Sequence, residues 1–219
     1  VAQDGAVTFT KAPSTPHDPS IGVMDAVTLL AEEMSSDVAS LLAKTERIVH
    51  GTTVATNALL ERKGAKVGLL TTEGHRDVLE MREGLKDERY NMRLAAPDAL
   101  VPRHLRLGVT ERMRPEGVAH APLDLSSLDA AIDTLKAAEV TSVAVCYLHS
   151  YKNATHEQAT RARLEERVPG VSISLSSEVF PEIKEYERVS TTVVNAYVRP
   201  VVEKYLTNLE TLLKEAGFA

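Results

Sequence analysis

Residues 50–62 read HGTTVATNALLER, and their layout decides how the rest of the chain is organised. A short run, Arg47-Ile48-Val49, precedes them and reads as the end of a strand. Gly51-Thr52-Thr53 then reads as a turn. Val54, Ala58 and Leu59 follow at helical spacing, and Gly64 is expected to close the helix as its C′ residue. Strand, Gly-Thr-Thr turn, helix and glycine place backbone N–H groups and threonine hydroxyls at a helix start, where an anion or a polar carbonyl compound is stabilised. Thr52 or Thr53 acting only as an N-cap accounts for the same pattern.

Outward from this stretch, the pattern is that of an α/β protein. Residue 20 opens a helix with Val23, Val27, Leu30 and Ala31 on one face, and a second short helix spans about 37–43. Residues 66–71 read as a buried strand, 82–102 as a charged surface loop serving as a lid or an interface element, and 105–113 as a strand followed by a turn at 114–117. Asp124 or Ser126 caps a helix carrying Leu128, Ala131, Ile132, Leu135 and Ala138. Residues 141–148 form a continuous apolar run, the mark of a strand buried on both faces. A helix over 153–168 and a strand over 171–175 complete a crossover, so the sheet is expected to be mainly parallel with flanking helices. Residues 186–216 read as a long helix, or two, interrupted at Pro200. At the other end, residues 5–10 read as the second arm of a hairpin turning at Asp4-Gly5. With no first arm and no opening methionine, the chain reads as a fragment.

Composition narrows the function. The formal charge of −6, with no Lys/Arg cluster, and 4% aromatic residues with no tryptophan argue against nucleic-acid binding. No apolar run is long enough to span a bilayer and no signal peptide is evident. The single cysteine, Cys146, allows no internal disulfide, suits a reducing, cytoplasmic compartment, and lies in the apolar run as a core thiol rather than a nucleophile. No metal-ligand spacing, P-loop or GxSxG motif is present.

Four clusters could carry chemistry. His50, Gly51, Thr52 and Thr53 with Thr56 and Asn57 offer hydroxyls, an amide and an imidazole. His149-Ser150-Tyr151 with Asn153 and His156 stands at the exit of the buried strand, where ligands of open α/β sheets bind. The third combines Ser177-Glu178 with residues 181–188, ending in Glu187 and Arg188, and then Ser190, Thr191, Thr192 and Asn195. It reads equally as a capped helix start with a solvated face. Residues 71–77 form the fourth, explained as well by a capped loop.

Several long blocks, in order, resemble the N-terminal region of the hydantoinase/oxoprolinase family. They are HGTTVATNALLERKGAKVGLLTTEGHRDVLEMREG (50–84), AVCYLHSYKNATH (144–156), SEVFPEIKEYERVSTTVVNAYVRP (177–200) and the earlier KAPSTPHDPSIGVMDAV (11–27). The resemblance implies the first lobe of a fold like that of the actin, sugar-kinase and Hsp70 superfamily, lacking its first strands. Residues 1–185 would form that lobe and 186–219 would lead toward a second. It implies an ATP- and magnesium-dependent amidohydrolase opening a cyclic amide through a phosphorylated intermediate, working with a second subunit or domain in an oligomer. A subunit of an acetone- or acetophenone-type carboxylase, or a non-catalytic assembly fragment, are the alternatives. The resemblance places His50, Gly51, Thr52, Thr53 and Asn57 at the cleft, and Glu187, Arg188, Thr191, Thr192 and Asn195 at its base. It assigns no catalytic base. The family's Asp-x-Gly-Gly-Thr phosphate loop has no counterpart here, so the chain alone is expected to hold an incomplete ATP site.

Overall fold

A computed structural model describes residues 1, 5–84, 88, 90–95 and 98–218 of the 219. In chain order its elements are α1 (Pro19–Glu33), α2 (Val38–Ala43), α3 (Val54–Leu60), β1 (Val67–Thr72), α4 (Val78–Met81), β2 (Arg106–Val109), β3 (Arg112–Met113), β4 (Ala119–Ala121), α5 (Leu125–Ala137), β5 (Ser142–Cys146), α6 (Thr155–Arg167), β6 (Ser172–Leu175), α7 (Ser176–Val179) and α8 (Glu185–Glu215). The chain divides into two compact units, one formed by Val1–Ala55 with Val201–Ala219, the other by Thr56–Pro200.

The larger unit is built on a four-stranded sheet of order β2-β1-β5-β6, parallel throughout. Parallel neighbours need crossovers that cover both faces. Every residue of β1 and β5 is accordingly buried. Leu69, Leu70, Val143 and Val145 meet Leu128, Ile132 and Leu135 of α5, Leu164 of α6, and Val189, Val193 and Ala196 of α8 in one core. Asp124 starts α5 by accepting the Ser126 N–H at 2.9 Å. Two salt-bridged arginines, Arg163 and Arg167, tie α6 to Asp129 of α5. A separate antiparallel hairpin joins β3 and β4.

The smaller unit has its own core. Leu42, Tyr205, Leu209 and Leu213 are buried there, with Val23, Met24, Val27, Val38 and Ile48 packed against them. Asp18 caps α1 through the Ser20 N–H and Asp37 caps α2 through the Ser40 N–H.

Several expectations change. Residues 47–49 belong to no strand, and Val49 is exposed. Residues 6–10 form no strand either, while the turn residue Asp4 lies outside the described residues. The strand expected over 105–113 is split in two, because the chain turns at residues 110–111 and Glu111 points into the interior. Helix α8 runs through Pro200 without ending. The missing proline N–H costs one helical bond there, while the apolar stripe on either side stays packed. Gly64 is not the left-handed closing residue of α3. Arg62 holds that conformation (φ 55°) while the Lys63 N–H reaches the Ala58 carbonyl. Gly64 instead lies under the Tyr197 ring, where a Cβ would overlap the ring carbons. The loop expected over 82–102 carries no helix or strand among its described residues.

Candidate functional site

In the smaller unit, His50, Gly51, Thr52 and Thr53 are all exposed on an irregular segment leading into α3. Thr52 Oγ1 accepts the Val54 N–H at 3.2 Å, so this threonine shapes the helix entry. His50 is held from a distance in sequence: its Nε2 lies 2.5 Å from the hydroxyl of Tyr205 on α8, with the rings 5.6 Å apart and tilted by 51°. Burial pushes the Tyr205 phenol above its ordinary value, and the Thr52 side chain partly offsets this by hydrogen bonding. The phenol therefore stays protonated and is available to donate. Nothing in the sequence marked Tyr205, which sits on the apolar stripe of a helix.

Asn57, exposed on α3, belongs to the larger unit. So do the five later candidates, and the structure places them differently from one another. Glu187 and Thr191 reach the surface, with Glu187 paired to Lys184 at 3.1 Å. Arg188 is only 1% exposed. One of its nitrogens donates to the Tyr147 carbonyl at 3.0 Å, its guanidinium lies 5.3 Å from the Tyr151 ring centre, and its Nε and other terminal nitrogen carry no hydrogen-bond partner. Thr192 is fully buried and donates to the Arg188 carbonyl. Asn195 donates to Ser174 Oγ on β6 at 2.9 Å. Arg188 thus ties α8 to the chain just beyond β5 and Asn195 ties it to β6, while Thr192 bonds within the helix.

A dense polar network occupies the carboxyl end of the sheet. Glu157, fully buried on the first turn of α6, accepts the Tyr147 N–H at 3.1 Å, the Ser176 hydroxyl at 2.6 Å and the Ser177 N–H at 2.9 Å. Ser150 and Ser176 share a bond of 2.9 Å. Glu111 accepts the Thr72 hydroxyl on one oxygen and meets His156 Nδ1 at 2.7 Å on the other. Thr72 in turn accepts the Leu148 N–H at 2.9 Å. Nearby, burial first and the Arg112 guanidinium second hold His75 below the ordinary imidazole range, against the pull of Glu185 and Glu111. His149 adopts the left-handed conformation (φ 56°), uncommon for a non-glycine residue. Cys146 is buried and its thiol is pushed up to about 11, which removes it as a nucleophile at neutral pH. The second sequence cluster, around His149 and His156, and the fourth, around Thr72 and His75, therefore share one edge of the sheet. The two buried carboxylates, Glu111 and Glu157, gave no signal in the sequence, since glutamate is mostly a surface residue.

The model of the hydantoinase/oxoprolinase N-terminal region matches residues 1–168. The chain belongs to this family. Caprolactamase subunit alpha of Pseudomonas jessenii is 41% identical over 97% of this chain and 31% of its own length. The crystal structure of the ATP-dependent caprolactamase from Pseudomonas jessenii matches with a TM-score of 0.90 at 40% identity, covering 99% of this chain and 32% of that one. The acetophenone carboxylase gamma subunit of Aromatoleum aromaticum is 35% identical over 98% of this chain and 31% of its own length. The chain spans roughly a third of the relatives it matches. Among the described residues, no helix is long and apolar enough to cross a membrane.

Proposed function

We propose that this chain is the N-terminal lobe of an ATP-dependent enzyme that opens a cyclic amide. Residues 1–185 would form the lobe and 186–219 would lead onward to a second. The observation that carries the proposal is the 41% identity to caprolactamase subunit alpha along 97% of the chain, matched by a TM-score of 0.90. An amide carbonyl is a poor electrophile, and ATP supplies the phosphoryl group that makes its oxygen a better leaving group.

The residues present fit that role. Thr52 and Thr53 are exposed hydroxyl donors beside Gly51, around which no side chain crowds, so phosphate or carbonyl oxygens can approach the backbone. Asn57 adds an exposed amide. His50, steadied by Tyr205, adds an imidazole. In the larger unit Arg188 and Thr192 are buried and Asn195 half-buried, while Glu187 and Thr191 are reachable. The proposal includes a second subunit or domain, in keeping with the subunit names of the relatives.

The test uses the full-length parent with its partner subunit. ADP release coupled to opening of caprolactam, 5-oxoproline or a hydantoin is the expected result, and no coupled turnover with any of them overturns it. Thr52→Ala and Thr53→Ala should each depress turnover while the fold persists; unchanged turnover removes the site assignment. A second reading, as a carboxylase subunit, is favoured by the likeness to the acetophenone carboxylase gamma subunit. ATP hydrolysis that requires a ketone and bicarbonate would select it. A chain serving only assembly would support neither reaction.

A further inference from the structure

His50 has two ring nitrogens, and only one is committed within the chain. Its Nε2 lies 2.5 Å from the hydroxyl of Tyr205. Its Nδ1 has no hydrogen-bond partner among the described residues, and the residue is exposed. A neutral imidazole has one donor and one acceptor, so what the ring offers at Nδ1 depends on what Nε2 does. Tyr205 decides this. Burial raises its phenol, and the Thr52 hydroxyl pulls it back, as a donor to the phenol oxygen does. The same Thr52 oxygen accepts the Val54 N–H at 3.2 Å. With its oxygen taken, the phenol has its own hydrogen to give. Asp18 is the carboxylate that bears on this phenol, and it is already filled by the Ser20 N–H at 3.0 Å, the Ser20 hydroxyl at 2.5 Å and the Asn208 amide at 3.3 Å. The phenol hydrogen therefore goes to His50 Nε2, and the ring hydrogen stays on Nδ1. All these residues lie in the smaller unit. Packing alone would be served at position 205 by phenylalanine; the hydroxyl of a residue only 4% exposed has to be paired, and it is paired to this segment.

We propose that His50 meets the ligand as a hydrogen-bond donor through Nδ1–H, that Tyr205 and Thr52 are its positioning residues, and that the atom it meets is an oxygen of a phosphoryl group or of an amide carbonyl. This rests on the cyclic-amide reading above and deepens it. His50 is then no base, because the ring nitrogen with the lone pair is occupied by Tyr205. Beside it stand Gly51, where no side chain crowds the backbone, and Thr53, which is exposed and whose hydroxyl has no partner among the described residues. A set of donors suits an oxygen that gathers negative charge as the reaction proceeds. Thr52 gives its hydrogen to Tyr205 and so acts through His50. An imidazole held in advance spares the ligand the cost of ordering an exposed segment.

The experiment uses the full-length enzyme with its partner subunit, ATP and caprolactam, and compares His50→Asn, His50→Gln and Tyr205→Phe. The shorter asparagine amide presents its nitrogen where Nδ1 stands, whereas the glutamine amide reaches the place of Nε2. kcat/KM is measured once with ATP varied and once with caprolactam varied. His50→Gln should lower it by about tenfold to a hundredfold, the loss of one bond to a charge-bearing oxygen, while His50→Asn stays within about threefold of wild type. The series that falls further names the oxygen: phosphoryl if ATP, carbonyl if caprolactam. Tyr205→Phe should lower kcat/KM by about tenfold in the wild-type background and by less than about threefold in the His50→Asn background. A role in packing alone would cost the same in both. His50→Gln as active as His50→Asn, or Tyr205→Phe equally costly in the two backgrounds, overturns the proposal and leaves the cyclic-amide reading standing. Should Tyr205→Phe not fold, the order of the two surface variants decides alone. A wild-type enzyme that opens no cyclic amide overturns that reading and this proposal with it.

Discussion

The phenol of Tyr205 and the imidazole of His50 are 155 positions apart in the chain and 2.5 Å apart in the fold. The hydroxyl belongs to a residue that is 4% exposed, whereas His50 is on the surface. The contact anchors the exposed His-Gly-Thr-Thr segment to the core of the smaller unit. Removing the hydroxyl by Tyr205→Phe keeps the packing with Leu42 and Leu209 and deletes the hydrogen bonds to His50 and Thr52. Chemical denaturation should show a loss of about 1 kcal/mol, and a double-mutant cycle with His50→Ala should show that the loss shrinks when His50 is absent. Additive losses would mean the bond contributes nothing.

Glu157 makes a different kind of prediction. Its carboxylate receives three hydrogen bonds, from the Tyr147 N–H, the Ser176 hydroxyl and the Ser177 N–H. In Glu157→Gln one oxygen becomes an NH₂ group facing a donor. The variant should lose about 2–3 kcal/mol, as expected when a buried acceptor is replaced and a donor is left without its partner. Glu178→Gln is the control: Glu178 bonds Arg161 at the surface and should cost less than about 1 kcal/mol. Comparable effects would show that the buried network does not hold the sheet edge.

Stability should fall in acid. Hydrogen bonds from Arg163 and then Arg167 hold the Asp129 carboxyl well below the ordinary aspartate range. Ser20 and Ser40 lower Asp18 and Asp37, and Arg103 lowers Asp77. A carboxyl whose folded value lies below its unfolded value of about 3.8 contributes fully above that pH and loses the contribution as pH falls toward the folded value. The melting temperature should therefore hold above about pH 5 and decline below about pH 4. Asp129→Asn should flatten that decline, and a decline of unchanged steepness would contradict the assignment.

Gly64 and Arg62 test the ending of α3. Gly64→Ala places a methyl group against the ring of Tyr197, which is itself 7% exposed and whose carbonyl oxygen accepts the Ala65 N–H. Over-packing there should cost about 1–3 kcal/mol by thermal or chemical denaturation. Arg62→Gly, at the left-handed position, should be neutral or stabilise by up to about 1 kcal/mol. The reverse order of effects would restore Gly64 as the helix-closing residue.

The legible parts of the sequence were those with local causes. The cap at Asp124, the helical stripe from Leu128 to Leu135 and the doubly buried run of β5 all stood in short windows. So did the parallel crossover from β5 through α6 to β6. The run Arg47-Ile48-Val49 misled for the same reason: β-branched residues favour a strand, but no neighbour pairs with them among the described residues. The turn at residues 110–111 was missed because only the interior position of Glu111 explains it.

By itself, the sequence determined the fold class, through hydrophobic periodicity and capping, and the family, through motifs whose order no short pattern imitates. Only the tertiary structure decided which polar groups meet. Tyr205 reaches His50, Glu111 reaches Thr72 and His156, and Glu157 gathers Tyr147, Ser176 and Ser177. The physical reason is that a buried polar group must find its partner wherever the packed chain brings one, and sequence separation places no limit on that distance.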